Sequence, residues 1–343
     1  MTVLTRPNGP LKVAVLGAGD MGARHVRAWC ALGHRVVSVT DVDATRARAL
    51  AEQHGVPRVF DDYRGAVADP EPDIVSICLP LALHAPATIL AADHGKHVIT
   101  EKPLCRTLAE ADAMETAVRR AGVQFGLGLQ CNLAEGVGLL RRWAAEGRFG
   151  RPMLFSSDLL QEVRPKRIMH DRAGNNGPLT DAGCHYYMLW QTVFRSKPRM
   201  VYAQGRILAT ERPELGHIGQ LAIDTAVVTV EYESGDLGTL TVSWGLPAGF
   251  QLRGRPDRIL GPRGGAEGAV NGRLTVYAGD RVELVELEPR DLHEVQLELF
   301  AAAVCGGAPP PSGFPEGRQM LAVTEAIFRS IETGQPAPVA YDR

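Results

Sequence analysis

The chain has 343 residues, with 37 Lys and Arg against 39 Asp and Glu and a formal net charge of −2. Hydrophobic residues make up 45% and charged residues 22%, which is ordinary for a globular protein, and the length suits about two domains of roughly 150 residues. Disordered and fibrous classes are excluded, and the balanced charge offers no whole-chain attraction to nucleic acid or to an anionic membrane.

No apolar stretch approaches the roughly 18 residues of a spanning helix. The N-terminus, MTVLTRPNGPLK, lacks the apolar core of a signal peptide. The six cysteines, Cys30, Cys78, Cys105, Cys131, Cys184 and Cys305, form no C-x-x-C pair. They predict no disulfide framework and no metal site, but a cytoplasmic protein with mostly small buried thiols.

In chain order, residues 11–16 read as a Val-rich strand followed by a glycine-rich turn. Apolar residues from Met21 to about Leu32 recur at helical spacing. Strand 35–40 precedes a helix over 44–54, closed by Gly55 with Pro57 beyond. Strand 73–79, a helix over 85–94 stopped by Gly95, strand 97–100, a helix over 107–121 ended by Gly122, and strand 123–129 complete the series. Apolar strands alternating with helices imply a parallel sheet buried on both faces.

The pattern then changes. Over 224–232, Ala226, Val228, Val230 and Tyr232 alternate with Thr225, Thr229 and Glu231. After a turn at 233–236, Leu240, Val242 and Trp244 alternate with Thr239, Thr241 and Ser243. This predicts an antiparallel hairpin with one wet face, and a second hairpin turns around Ala278-Gly279-Asp280. A late helix covers 316–333, before Gly334 and Pro336. The fold class is α/β, with a doubly wound parallel sheet over 1–130 and an α/β domain over 131–343.

Gly17-Ala18-Gly19-Asp20-Met21-Gly22 is G-x-G-x-x-G between a strand and a helix. The first glycine permits a tight turn, the second lets backbone approach a pyrophosphate, and the third lets helix pack on strand. The helix N-terminus offers N–H groups to the anion. Asp41 ends the second strand, close to the ~20-residue distance of a ribose-binding carboxylate, and would repel a 2′-phosphate. The turn thus predicts a dinucleotide, NAD rather than NADP, although Arg24 and Arg46 could soften that preference. The same residues also admit a purely structural turn with an Asp capping the next helix.

Lys102, in Glu101-Lys102-Pro103, leaves the sheet at the carboxyl end of a parallel strand, where doubly wound sheets bind ligands. There a lysine can donate to a substrate oxygen and stabilise alkoxide character; Lys-Pro can also be cis. A solvated surface lysine is the plainer alternative. In Leu179-Thr180-Asp181-Ala182-Gly183-Cys184-His185, Thr180 is the expected N-cap of one helix that places Asp181 and His185, i and i+4, on one face. A carboxylate beside an imidazole suits acid–base chemistry. An Asp at a helix start with an unrelated core histidine fits the same letters.

Taken together, these motifs resemble the Gfo/Idh/MocA family, the glucose–fructose oxidoreductase and inositol dehydrogenase group. The resemblance rests on VAVLGAGDMGARH, CLP with LALH, GKHVITEKPL, GRFGRPM, LTDAGCH, the hairpin ending LTVSW, and AIFRSIETGQP, in that order over nearly the whole chain. It implies a Rossmann domain paired with an α/β domain whose large, mainly antiparallel open sheet often builds homodimers or homotetramers. It implies hydride transfer between NAD and a hydroxyl or carbonyl carbon of a sugar, cyclic polyol or sugar derivative. Lys102 would hold the reacting oxygen, His185 would exchange its proton, and Asp181 would orient the site. Pro80, His84, Glu101 and Lys102 would join Gly17, Gly19, Asp20, Met21, Gly22 and Asp41 around the cofactor, with His25 nearby.

The chain departs from the family pattern where substrate is bound. Met188 stands where many members have Asp, and Leu81 where many have Asn. Residues 129–133 replace an Arg-Arg-Phe cluster, and Asn175-Asn176-Gly177-Pro178 replaces a glycine triplet. These changes imply an altered, more apolar pocket, for which a glycoside, a biosynthetic intermediate or a less polar ketone is as good a fit as a small polyol. Gln130, Asn132, Gln161, Arg164, Lys166, His170 and Tyr186 are the candidate substrate contacts. The alternatives are glycoside cleavage through transient C3 oxidation, and a non-catalytic NAD-binding regulator.

Overall fold

A computed structural model describes residues 9–250, 252 and 257–341. The stretch 1–8, read above as free of a leader, lies outside the described residues. The chain divides into two units, Met1–Gln130 with Asp291–Arg318, and Cys131–Arg290 with Gln319–Arg343. The contiguous division 1–130 and 131–343 therefore misses a return, because residues 291–318 belong to the first unit.

The first unit runs β1 (Lys12–Leu16), α1 (Asp20–Ala31), β2 (Arg35–Thr40), α2 (Ala44–His54), β3 (Arg58–Phe60), α3 (Tyr63–Ala68), β4 (Ile74–Ile77), α4 (His84–Asp93), β5 (His97–Glu101), α5 (Leu108–Ala121) and β6 (Phe125–Gly128). Its strands are parallel in the order β3-β2-β1-β4-β5-β6, the doubly wound arrangement whose ligand crevice opens where the order reverses between β1 and β4. Val13, Val15, Ile74 and Val75 are fully buried, as expected for strands covered on both faces. Local chemistry sets the helix ends. Asp43 caps α2 by accepting the Thr45 and Arg46 N–H groups, and Thr107 caps α5 by accepting that of Glu110. Gly55 and Gly122 end these helices in the left-handed conformation.

The second unit contains α6 (Glu135–Ala145), β7 (Leu154–Glu162), α7 (Gly177–Asp181), α8 (Gly183–Phe194), β8 (Pro198–Arg206), β9 (Thr225–Tyr232), β10 (Leu237–Leu246), β11 (Asp257–Gly261), β12 (Gly264–Gly268), β13 (Arg273–Ala278) and β14 (Arg281–Glu286). The chain then adds α9 (Leu292–Val304), within the first unit, α10 (Phe314–Thr333), and β15 (Ala337–Pro338). Among the described residues the large sheet has nine strands in the order β14-β13-β12-β11-β7-β10-β9-β8-β15, and of their pairings only β7 with β10 is parallel. The alternation in β9 is as predicted. Ala226, Val228, Val230 and Tyr232 are buried while Val227 is 56% exposed. Trp190 of α8 packs so closely on β10 that a Cβ at Gly238 would lie 2.1 Å from its ring.

Val26, Trp29, Leu297 and Phe300 share one core with the first unit's sheet. Phe300 occupies the space a side chain at Gly126 would need. The expectation of mostly buried thiols is corrected: Cys105 and Cys184 are buried, but Cys30 and Cys305 are exposed and Cys78 and Cys131 half-buried. Among the described residues, no helix is long and apolar enough to cross a membrane.

Candidate active site

The turn after β1 is built by contacts that exclude side chains. Gly17 has φ +98°, and a Cβ there would lie 2.5 Å from the Cys78 carbonyl oxygen on the neighbouring β4 exit. A Cβ at Gly22 would lie 1.8 Å from the Gly17 carbonyl oxygen. Gly17 N–H donates to the Thr40 carbonyl at 2.7 Å. Gly19 is the N-cap of α1 and supplies no side-chain cap. The start of α1, at the β1/β4 switch point, therefore presents backbone donors and the positive end of the helix dipole to an outside anion. The glycine turn and the start of α1 have the close-approach backbone and donors that fit a dinucleotide pyrophosphate.

Asp41 faces the same turn. Its Oδ2 accepts the Ala18 N–H at 2.8 Å, and its Oδ1 accepts from Asp43 N–H and the Arg46 guanidinium, each at 2.9 Å. Burial disfavours its charge, but those donors outweigh burial and hold the carboxyl below its usual range. The next helix is capped by Asp43 rather than by Asp41. Asp41 is thus left as the acid beside the turn.

Lys102 follows the last residue of β5 and joins Pro103 through a cis peptide. Two buried histidines brace this corner. His84 at the start of α4 has Nδ1 2.7 Å from the Pro103 carbonyl oxygen and Nε2 2.9 Å from that of Leu79. Burial lowers its pKa against the two carbonyls, which favour protonation. His25 of α1 has Nε2 3.0 Å from Glu101 Oε1 and Nδ1 2.7 Å from Ser76 Oγ, which also accepts Trp29 Nε1–H at 3.3 Å. The Glu101 side chain is thus turned into the interior against His25. His293 of α9 stands edge-on to His25, ring centroids 6.2 Å apart, with its Nδ1 3.3 Å from Asp291 Oδ1. The sequence patterns gave neither His293 nor Ser76 a role. A serine inside the apolar run DIVSICL was the available signal for Ser76; nothing local marked His293.

The Asp181–His185 segment is not one helix. Asn176 at φ 56° and Gly177 at φ 76° start α7, with Pro178 in its first turn; Thr180 lies inside α7 and is not an N-cap. Asp181 is the last residue of α7, Ala182 breaks the path at φ −116°, and α8 begins at Gly183. The break has a physical cause. The Tyr187 hydroxyl donates to the Leu179 carbonyl at 3.1 Å, and a Cβ at Gly183 would lie 2.0 Å from that hydroxyl oxygen. Asp181 is buried and His185 half-buried in the first turn of α8. The single-helix argument for a shared face therefore does not apply.

The structure gathers several of the predicted substrate residues at the ends of β7 and β10. Gln161 Oε1 accepts Trp244 Nε1–H at 3.0 Å. Buried His170 stands edge-on to Trp244 and accepts the Arg164 N–H at 2.9 Å; burial lowers its pKa. Arg164 Nε is buried and has no hydrogen-bond partner among the described residues. Lys166 and Arg167 are exposed. Tyr186 lies near Asp257, an acid sequence reasoning did not single out. Burial, with the charge of Asp257, raises the Tyr186 pKa well above its usual value. Asp257 accepts Ser157 Oγ–H at 2.6 Å. Asn132 is taken up by Thr192 at 3.3 Å, and Gln130, in the first unit, lies 3.4 Å from His293. Met188 and Leu81 are buried. Pro80 is exposed on the turn after β4.

Comparison with known proteins agrees with this architecture. Residues 11–129 match the model of an oxidoreductase family with an NAD-binding Rossmann fold, and residues 137–267 match the GFO/IDH/MocA C-terminal domain. The levoglucosan dehydrogenase of Pseudarthrobacter phenanthrenivorans is 32% identical over 382 aligned residues, covering 93% of this chain and 96% of the relative. The myo-inositol 2-dehydrogenase of Thermotoga maritima is 26% identical over 331, covering 94% and 96%. The crystal structure of the WlbA dehydrogenase from Bordetella pertussis, in complex with NADH and UDP-GlcNAcA, is 25% identical, covers 97% of this chain and 100% of its own, and superposes with a TM-score of 0.80. The chain belongs to the GFO/IDH/MocA family and is an NAD-binding oxidoreductase with that family's Rossmann and C-terminal domains.

Proposed function

We propose that the enzyme transfers hydride between NAD and a hydroxyl-bearing carbon of a sugar, cyclic polyol or sugar derivative. The observation that carries this reading is the corner at Lys102. A lysine stands at the carboxyl end of β5, with His84 against the next carbonyl and the His25–Glu101 pair behind it, in the unit that holds the phosphate turn. Bound NAD supplies the hydride acceptor or donor. Lys102 holds the reacting oxygen and stabilises its developing negative charge. His185 takes or returns the hydroxyl proton, and Asp181 orients it. Asp41 favours the ribose of NAD over the 2′-phosphate of NADP. Pro80, His84 and Glu101 shape the cofactor's surroundings.

Gln130, Asn132, Gln161, Arg164, His170 and Tyr186 are the proposed substrate contacts. The named relatives, a levoglucosan dehydrogenase and a myo-inositol dehydrogenase, support a cyclic polyhydroxy substrate. Exposed Tyr202, Val227, Leu260, Val282 and Leu284 on the nine-stranded sheet support a homodimer or homotetramer, which light scattering on the purified chain tests.

Purified enzyme with NAD and a panel of inositols, aldoses, anhydrosugars and glycosides tests the reaction. A rise in absorbance at 340 nm is expected. Release of aglycone without that rise would instead assign glycoside cleavage. No turnover on any member, with NAD bound tightly, would assign a regulator.

A further inference from the structure

His25 and Glu101 form an ion pair at 3.0 Å, with side chains 0% and 5% exposed. Taking two charges out of water costs several kcal/mol each, and a well-packed apolar pair would usually be as stable. Stability alone therefore gives no reason for charges at this place. Position gives one. Glu101 ends β5, and the next residue is Lys102.

Side chains and backbone around the pair hold it in place. Ser76 fixes His25 at Nδ1, and Trp29 fixes Ser76. On β6 the backbone of Gly128 lies so close that a Cβ would come within 3.0 Å of Glu101 Oε1 and 3.1 Å of Glu101 Cα. Among the described residues Glu101 Oε2 is buried without a hydrogen-bond partner, and the hydrogen bond that holds the other oxygen comes from His25.

We propose that the His25–Glu101 pair is the positioning device of Lys102: His25 fixes the Glu101 carboxylate behind the lysine, and that fixed charge sets the ammonium's place and proton affinity. The proposal rests on the reading of Lys102 as the residue that holds the reacting oxygen. The other titratable groups facing this cluster are Cys78 at the exit of β4, His84 on α4 and His293 on α9, with Asp291 and Arg24 beyond His293. Burial opposes both charges of the pair. Cys78 and Glu101 override it for His25, raising its pKa to about 10. His25 and Lys102 override it for Glu101, lowering its pKa to about 2. Both shifts favour the ionised forms near neutral pH. Removing the His25 charge leaves Glu101 uncompensated beside Lys102 and raises the lysine's pKa.

The test reads Lys102 directly. The sequence has five lysines, Lys12, Lys96, Lys102, Lys166 and Lys197, so 13C reductive methylation gives a simple NMR titration, with Lys102 assigned through Lys102→Arg. His25→Gln, which keeps a donor and removes the charge, should raise the Lys102 pKa by about one unit. In a Glu101→Gln background the same change should do nothing. In turnover, His25→Gln should lower kcat about tenfold with KM and NAD affinity within a few-fold. An unmoved Lys102 titration, or a shift that persists without Glu101, overturns the proposal. Should His25→Gln fail to fold, the wild-type His25 ring decides the matter: a protonated ring at pH 8 is expected, and a neutral one overturns it. If Lys102→Ala turns over like wild type, the catalytic reading fails. The titration still reports independently on the pair.

Discussion

Asp41 Oδ2 accepts the Ala18 N–H while Asp41 Oδ1 accepts the Arg46 guanidinium. One carboxylate thus ties the phosphate turn to α2 and at the same time engages the Arg46 guanidinium. Replacing Asp41 with Ala frees Arg46 for a 2′-phosphate and removes the acceptor proposed for the ribose. Loss of a charged hydrogen bond costs about 1.5–3 kcal/mol, so NAD should bind roughly ten- to a hundredfold more weakly while NADP loses less. Titration calorimetry with both cofactors checks this, and Asp41→Ala/Arg46→Ala should lose the relative gain for NADP.

Gly17→Ala and Gly22→Ala should each damage the turn through backbone contact. Their methyl groups would meet carbonyl oxygens of Cys78 and Gly17 respectively, and these cannot move aside as a flexible side chain would. A strained, displaced backbone costs on the order of 1–3 kcal/mol. A lower melting temperature, with NAD affinity falling in parallel, is expected. Wild-type affinity in both variants would show that the turn tolerates the displacement.

Lys102→Ala should cut kcat by about 10²–10³, the usual scale for removing one donor to a developing oxyanion. NAD affinity should change only a few-fold. Steady-state kinetics alongside NAD binding separates this from a cofactor-binding role, in which affinity would fall and kcat would not.

His185→Ala should lower kcat by about 10²–10⁴, the range for a lost general acid–base. Small exogenous imidazoles should restore part of the rate. A variant with full turnover would remove His185 from the proton path and point to another residue of the α7–α8 segment.

The buried pair also gives stability a pH signature. His25 rises from an ordinary 6.5 to about 10, so its contribution is complete below 6.5 and lost as pH climbs toward 10. Glu101 falls from 4.5 to about 2, so its contribution is complete above 4.5 and lost as pH drops toward 2. The melting-temperature gap between wild type and His25→Gln/Glu101→Gln should therefore be widest between pH 4.5 and 6.5 and narrow at pH 9. A gap independent of pH would mean that the pair is neutral.

The parallel sheet was legible because its strands are unbroken apolar runs punctuated by glycine, and the edges 35–40 and 44–54 coincide with β2 and α2. β3 and α3 were missed: three residues at a sheet edge and six in a helix carry too little periodicity to register. The α7–α8 break was missed because it depends on the Tyr187 hydroxyl reaching Leu179, a contact that spacing does not encode. The phosphate turn and Lys102 stood out as local motifs. The partnership of His25 with Glu101 joins residues 76 apart in sequence and becomes visible only when α1 lies on the sheet.

The return of residues 291–318 to the first unit bears on how the enzyme is made. Leu297 and Phe300 are buried in the core of that unit, and side chains of this kind contribute about 1.5–3 kcal/mol each. A nascent chain that has reached residue 130 has all six parallel strands but a hollow where Phe300 belongs beside Gly126. The nucleotide-binding unit is therefore finished late in translation, after every strand from β7 to β14 has left the ribosome. An isolated 1–130 fragment would carry the binding motif and expose an apolar wound.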